Sequence, residues 1–314
     1  MNKQKPIQEN LKKIPVKYIL CKFCSSRLTT KKNKKQSDQC FICKNIFEKI
    51  DGVILRISEN LSSYEFSNFE TGVIIKPSII DRDDHIKSQF EIRGISSVKS
   101  NVNHELSKRL AKKTNTGINH LDPDISIKVN FKDNSYEIKS KPIYLYGRYI
   151  KKSRKLTQKQ QNCRNCFGKG CYTCNFHGLI NFDSVGGQIT KFLIKKFDCK
   201  QVKINWIGGE EKTSLVLGNG RPFFVKIINP KKRKKIIRRK TKLQGIELLE
   251  LRKINTQPKD PIFFKSKIDV VMNSDKPIKS RELKNLERST MPLIIHIDGK
   301  KSVTKKIYKI NFKK

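Results

Sequence analysis

Eight of the nine cysteines fall into four Cys-x-x-Cys pairs, and this spacing limits the possible folds more than any other feature of the chain. Cys21, Cys24, Cys40 and Cys43 form a C-x2-C-x15-C-x2-C set; Cys163, Cys166, Cys171 and Cys174 form a tighter C-x2-C-x4-C-x2-C set. A Cys-x-x-Cys knuckle brings two thiolates to one side of a turn, so two knuckles complete a tetrahedral Zn2+ site. Gly168 and Gly170 permit the sharp turn inside the second set. Four thiolates leave no open coordination position, so the expected zinc, at one or two sites, is structural. No organic cofactor is expected. Paired thiols in a chain of 314 residues suit metal sites in a reducing cytoplasm better than a disulfide framework.

Charge narrows the partner. Lys and Arg number 69 against 28 Asp and Glu, a formal net charge of +41. A chain this basic repels itself unless a polyanion screens it, and a nucleic acid is the usual one. A lysine-rich composition accounts for scattered charges but not for clusters such as Arg148 to Lys155 or Lys231 to Lys242, the latter with nine basic residues in twelve. That second run reads either as a solvated loop face or as a phosphate-tracking segment, and its PKKRKK also matches a nuclear-import pattern that arises easily in lysine-rich chains. No amphipathic segment has a clean apolar face, no stretch reaches membrane-span length, and the N-terminus lacks a signal-like apolar core, so a cytoplasmic protein without membrane contact is expected.

Periodicity predicts an α+β chain with room for two or three domains. Gly72 to Pro77 reads as a strand, and His104 to Lys113 as a helix with Leu106, Leu110 and Ala111 on one face. Asp124 to Phe131 alternates strictly, turns at Asp133-Asn134 and returns as a strand over Tyr136 to Tyr146. Ser184 caps a helix with Ile189, Phe192, Leu193 and Phe197 on one face. Val202 to Ile207 and Leu215 to Leu217 read as strands, and Asn219-Gly220 as a hairpin turn into Arg221 to Ile228. Cys199 stands alone and reads as buried.

Two motifs carry a resemblance. Gly147, Arg148, Tyr149, Lys151, Ser153, Arg154 and Gln158, followed by Cys163, Cys166, Gly168, Gly170, Cys171, Cys174 and Gly178, resemble the GRYxKxSRxxxQ and CxxCxGxGCxxC block of the archaeal and eukaryotic Pus-ten family of tRNA pseudouridine synthases. Leu217 to Ile227, LGNGRPFFVKI, is similar to that family's LGxGRPF motif. The resemblance spans roughly Tyr18 to Tyr308. It implies a zinc-bearing N-terminal THUMP-type accessory domain and a shortened pseudouridine-synthase-like mixed-sheet domain. The expected division is a zinc-knuckle region over 1–70, a THUMP-like domain over 71–160, a second zinc clip over 161–180 and the synthase-like domain over 181–314. The implied partner is tRNA, with no small-molecule substrate. The residues expected to contact it are Arg148, Tyr149, Lys151, Arg154 and Arg221, together with Lys231, Lys232 and Arg233.

The departures fall on the chemistry. Where the family reads GREDxD, with its first aspartate the nucleophile on the target uridine, this chain has Gly208, Gly209, Glu210, Glu211, Lys212 and Thr213. Glu211 therefore stands at the nucleophile position, its carboxylate displaced by about one methylene, and Gly209 replaces the arginine. Aligned on Pro277 and Ile278, Ile268 replaces the family's base-stacking tyrosine and Asp269 its arginine. The chain also ends at Lys314, where family members continue with further strands. Two functions stay open on this reading: a synthase of the TΨC loop working through Glu211, and a catalytically silent tRNA-binding chaperone or scaffold. A ribosome-associated basic zinc protein is a third. The departures favour a poor or inactive synthase that still binds tRNA.

Overall fold

The computed structural model of the chain describes residues 17–28, 39–233, 240–258, 262, 264–271, 273–289, 291–297 and 303–312. The lysine-rich segment between the first two cysteine pairs and the 234–239 portion of the basic run lie outside these residues. The chain divides into two compact units, Met1–Pro261 and Ile262–Lys314.

The first unit holds two apolar cores, each built on a sheet. In the first, helix α1 (Lys22–Leu28) carries Cys24 and Leu28 inward, and helix α2 (Lys49–Leu61) buries Ile50, Val53, Ile54, Ile57 and Leu61 on one face. Strand β1 (Asn68–Ile74) alternates in burial, as a half-buried strand must. Chain reversal then comes early: Pro77 sits in the first turn of helix α3 (Pro77–Gln89), where its missing N–H has no helical partner to lose. The strand expected over Gly72 to Pro77 is therefore displaced toward the N-terminus. Helix α4 (Val98–Thr114) starts six residues before the expected His104, because the Ser97 side chain caps the Ser100 amide. Strands β2 (Gly117–Ile118), β3 (Ile125–Asn130) and β4 (Ser135–Ser140) complete a sheet of order β2-β1-β3-β4, with β1 parallel to β2 and β3, and β3 antiparallel to β4.

This core is continuous from Leu20 to Phe131, so the cysteine region does not pack as a separate domain. A buried ion pair reinforces the join. Asp83 of α3 is fully buried, paired with Arg27 of α1 and, at 2.9 Å, with Lys87, and it accepts the Val98 amide at 3.1 Å. Removing one partner of such a pair strands a buried charge. Asp83→Ala is expected to cost about 3–5 kcal/mol, read from the urea unfolding midpoint.

The return strand expected over Tyr136 to Tyr146 divides at Lys141-Pro142. β4 closes the first sheet, and β5 (Ile143–Lys151) becomes the central strand of the second, because proline supplies no ladder donor and ends the first sheet there. The second sheet is antiparallel in the order β6-β7-β5-β9-β8, using β6 (Gln201–Trp206), β7 (Val216–Ile228), β8 (Thr241–Leu243) and β9 (Ile246–Ile254). Helix α5 (Val185–Phe197), capped by Ser184 on the Gly187 amide, packs on it through Val185, Ile189, Leu193 and Phe197. Asn219-Gly220 makes no hairpin. The residues from Val216 to Ile228 form one strand that bulges there, with Gly218 and Gly220 at φ +58° and +68°, and the β5–β7 register slips between Tyr149 and Lys151. At Gly147, a Cβ would lie 2.6 Å from Leu251 and 2.7 Å from Phe223, so only glycine lets the neighbouring strands close over the middle of β5.

The unit Ile262–Lys314 contains helix α6 (Ser280–Glu287) and an antiparallel pair, β10 (Leu293–Ile297) and β11 (Val303–Ile307). Ile268 lies there, 67 % exposed and outside regular structure.

Candidate active-site loop and metal centres

The loop between β6 and β7, residues 207–215, is held almost entirely by the GRYxKxSRxxxQ block. Lys151 leaves the end of β5 with its side chain fully buried, and its Nζ donates to the carbonyls of Leu156 (3.0 Å), Glu211 (3.1 Å) and Lys212 (3.3 Å). Arg154 donates to Thr213 O at 2.8 Å, Gln158 to Gly208 O at 3.3 Å, and Arg221 to Ile207 O at 3.3 Å. Arg148 reaches along the β7 bulge to Asn219 O at 2.6 Å and Gly220 O at 3.0 Å. A loop without secondary structure needs outside donors for its carbonyls, and these side chains supply them.

The two glutamates of the loop have opposite surroundings. The side chain of Glu210 is 1 % exposed, with Oε1 at 3.4 Å from Lys151 Nζ and Oε2 at 3.4 Å from Arg221 Nε. These are ion pairs rather than aligned hydrogen bonds, so both oxygens keep accepting capacity. Burial, and then the Glu210 charge, raise the Tyr149 hydroxyl well above the usual tyrosine range. Tyr149 also takes a hydrogen bond from Gln158 at 3.2 Å and meets Trp206 edge-on at 5.8 Å. Glu211 is exposed; its carbonyl is bound twice over, by Lys151 and by Ser214, while its carboxylate projects from the loop.

Several residues expected to touch RNA are committed inside the protein. Lys151 and Tyr149 are each 0 % exposed, so neither reaches a phosphate or a base. Arg148 donates to the carbonyls of Asn219 and Gly220 and to the Tyr146 hydroxyl, and Arg221 donates to the Ile207 carbonyl beside its ion pair with Glu210. Arg233 pairs with Asp124 at 3.3 Å and donates to Ser140 Oγ and Lys141 O, both at 2.8 Å, while its amide binds Glu65. It ties the two sheets together across the β4–β5 junction. Desolvation there lowers its guanidinium from the ordinary value, against the pull of Asp124 and Asp122. Lys231 is part-exposed with Nζ 5.7 Å over the Tyr64 ring; Lys232 is also part-exposed, and Arg154 remains exposed beyond its one bond. Sequence reasoning passed over Glu210 and Asp83, because a charged residue carries no mark of its burial until partners from distant segments close around it.

Each four-cysteine set can hold a metal ion: within each, the four sulfurs lie within 4.8 Å of one another. Individual separations are 3.6 Å for Cys21–Cys43, 3.9 Å for Cys163–Cys171, 3.8 Å for Cys166–Cys174 and 3.7 Å for Cys171–Cys174. Tetrahedral thiolates about 2.3 Å from one ion stand about 3.8 Å apart, so the donor sets fit. In the second set the amides of Gly170, Cys171 and Gly178 point at Cys166 or Cys174 sulfur at 3.2–3.3 Å, bonds that favour a thiolate. Gly170 is at φ +90°, and a Cβ there would sit 2.5 Å from Phe176 O. All nine cysteines are free; burial, and then Asp198, push the lone Cys199 thiol up to about 12, which makes it inert as a nucleophile.

A four-cysteine α/β lobe joined to an antiparallel sheet that carries a carboxylate loop defines a two-module chain, and comparison with known families identifies both modules. The family model described as the archaeal Pus10 THUMP domain matches residues 54–130, and that described as Pus10, C-terminal, matches 144–312, beginning inside β5. The chain belongs to the Pus10 family. It is 41 % identical over 314 residues to the tRNA pseudouridine synthase Pus10 of Nitrosopumilus maritimus, covering 95 % of this chain and 82 % of that one. It is 28 % identical to the protein of the same name from Cenarchaeum symbiosum, covering 93 % and 76 %, and 29 % identical to that from Archaeoglobus fulgidus, covering 63 % and 54 %. Among the described residues no helix is long and apolar enough to cross a membrane.

Proposed function

We propose that the chain binds tRNA and isomerises a uridine of the T-arm to pseudouridine, with Glu211 as the reacting carboxylate. The observation that carries this reading is the convergence of both family motifs on one loop: Lys151, Arg154 and Gln158 from the first and Arg221 from the second hold residues 207–213, and Glu211 projects from them. In the isomerisation the C1′–N1 bond breaks, the base turns, a C1′–C5 bond forms, and the hydrogen on C5 is exchanged for one on N1. The carboxylate serves as the transient nucleophile for that rearrangement. Glu210, Lys151 and Arg221 position it. The lobe up to Ser140 serves as the tRNA-binding accessory domain, and the part from Ile143 onward as the synthase domain. The relatives, each a tRNA pseudouridine synthase by name, support tRNA as the substrate. Purified chain in limiting amount, given unmodified tRNA, is expected to form more than one pseudouridine per protein molecule at a single position by site-resolved mapping. Intact binding with no pseudouridine overturns the catalytic half of the proposal.

Both four-cysteine sets are assigned structural zinc, and the cytoplasm is the compartment that nine free cysteines suit. Metal analysis is expected to return two zinc per chain. Because thiolate binding is coupled to folding, a chelator is expected to unfold the lobe around Cys21, Cys24, Cys40 and Cys43, the last three buried in its core and Cys21 packed against it. One zinc or none removes the corresponding site.

A further inference from the structure

The second four-cysteine clip is built around sulfur, and it turns its largest side chains outward. Phe167 is 79 % exposed and Tyr172 87 %. A small metal clip has little interior, so exposed side chains are unsurprising in it; large apolar ones are not, because each exposes ring area without gain. The backbone adds a second cost. Phe167 sits at φ +50° and Phe176 at φ +63°, in the left-handed region where glycine or asparagine is accommodated with less strain. For Phe167 no burial of the ring offsets that cost. Phe176 is 42 % exposed, with Lys200 4.6 Å over its ring.

The frame that holds these rings is stiff. Asn162 and Leu179 form a bridge, Cys163 N binds Gly178 O at 2.9 Å, and Phe167 N binds Cys163 O at 2.8 Å. Gln201 of β6 donates to Gly168 O at 2.7 Å, fastening the clip to the second sheet. Its own segment carries charge of one sign: no Asp or Glu occurs from Leu156 to Phe182, whereas Lys159, Arg164 and Lys169 are exposed. Exposed aromatic rings on a basic segment without acids complement an unpaired nucleotide, whose base offers a π-face and whose phosphate offers a negative charge. Duplex RNA hides its base faces, so the occupant is a splayed or single-stranded base.

We propose that Phe167 and Tyr172 form a base-stacking contact for unpaired nucleotides of the bound RNA, which rests on the reading of this chain as a tRNA-binding protein. The test uses the full chain with Phe167→Ala, Tyr172→Ala, the double substitution, and the aromatic exchanges Phe167→Tyr and Tyr172→Phe. Binding is measured to unmodified tRNA, to a single-stranded RNA of mixed sequence and to a blunt RNA duplex, each over a range of salt. Each alanine is expected to weaken tRNA and single-strand binding roughly 5- to 150-fold with the salt slope unchanged, since no phosphate contact is lost. Zinc content and the unfolding midpoint are expected to stay at wild-type values, the aromatic exchanges to restore affinity, and duplex binding to remain unaffected. Retained tRNA affinity in the double variant overturns the stacking contact while leaving tRNA binding in place. If the wild type binds single strands but not tRNA, the tRNA reading fails and the stacking contact stands; if it binds no RNA, or if only an acidic peptide competes at these rings, the proposal is wrong.

Discussion

Glu211→Asp is expected to raise the rate of pseudouridine formation roughly a hundredfold without changing tRNA affinity. The family's nucleophile is an aspartate, and the glutamate in this chain carries the carboxylate about one methylene, or about 1.5 Å, too far from the loop. Misplacement of about 1 Å at a reacting centre costs on the order of a hundredfold, because alignment of the reacting atoms is what binding energy secures. The loop that would present the shorter side chain is already held at Ile207, Gly208, Glu211, Lys212 and Thr213 by donors unaffected by the substitution. Glu211→Gln keeps the shape and removes the nucleophile, so turnover is expected to vanish while binding persists. Single-turnover rates at saturating protein, measured beside equilibrium binding, check both. Activity that survives Glu211→Gln, or fails to rise in Glu211→Asp, shows that another group reacts.

Lys151→Met is expected to destabilise the second lobe by about 3–5 kcal/mol and to leave the salt slope of tRNA binding unchanged. Its ammonium sits 0 % exposed among three carbonyls and Glu210, so its loss leaves unpaired acceptors and an under-compensated buried carboxylate. Methionine keeps the length and apolar stem of the side chain. Adding Glu210→Gln to Lys151→Met is expected to recover part of the loss, since the stranded charge is then absent and the two sites are in contact. Urea titrations of the wild type, both singles and the double give the coupling. A salt slope lower by about one unit in Lys151→Met would show that the ammonium does meet a phosphate and that the buried position fails in solution.

The α+β class, both four-cysteine sets and the family were legible in the chain because each rests on local spacing or a contiguous motif. Two residues between cysteines set a knuckle, Ser184 ahead of an apolar stripe sets a capped helix, and strict alternation sets β3, wherever the rest of the chain goes. What a side chain faces is not local. Arg148, Lys151, Arg154 and Arg221 read as a basic surface in one dimension, yet the pairing of β5 with β7 brings the 207–215 loop against them: it buries the Lys151 ammonium and draws bonds from Arg154 and Arg221, leaving Arg154 exposed. The same pairing separates neighbours: Glu210 lies buried between two cations, and Glu211, one residue on, is exposed. Pro142 moved half of an expected strand into another sheet, and the Gly218–Gly220 bulge replaced an expected hairpin, because sheet membership is decided by which partner offers hydrogen bonds and buried area. Local spacing determined which elements form and which metal sites are possible; only long-range packing decided which charges remain outside to meet RNA, since burial depends on segments that the sequence holds far apart.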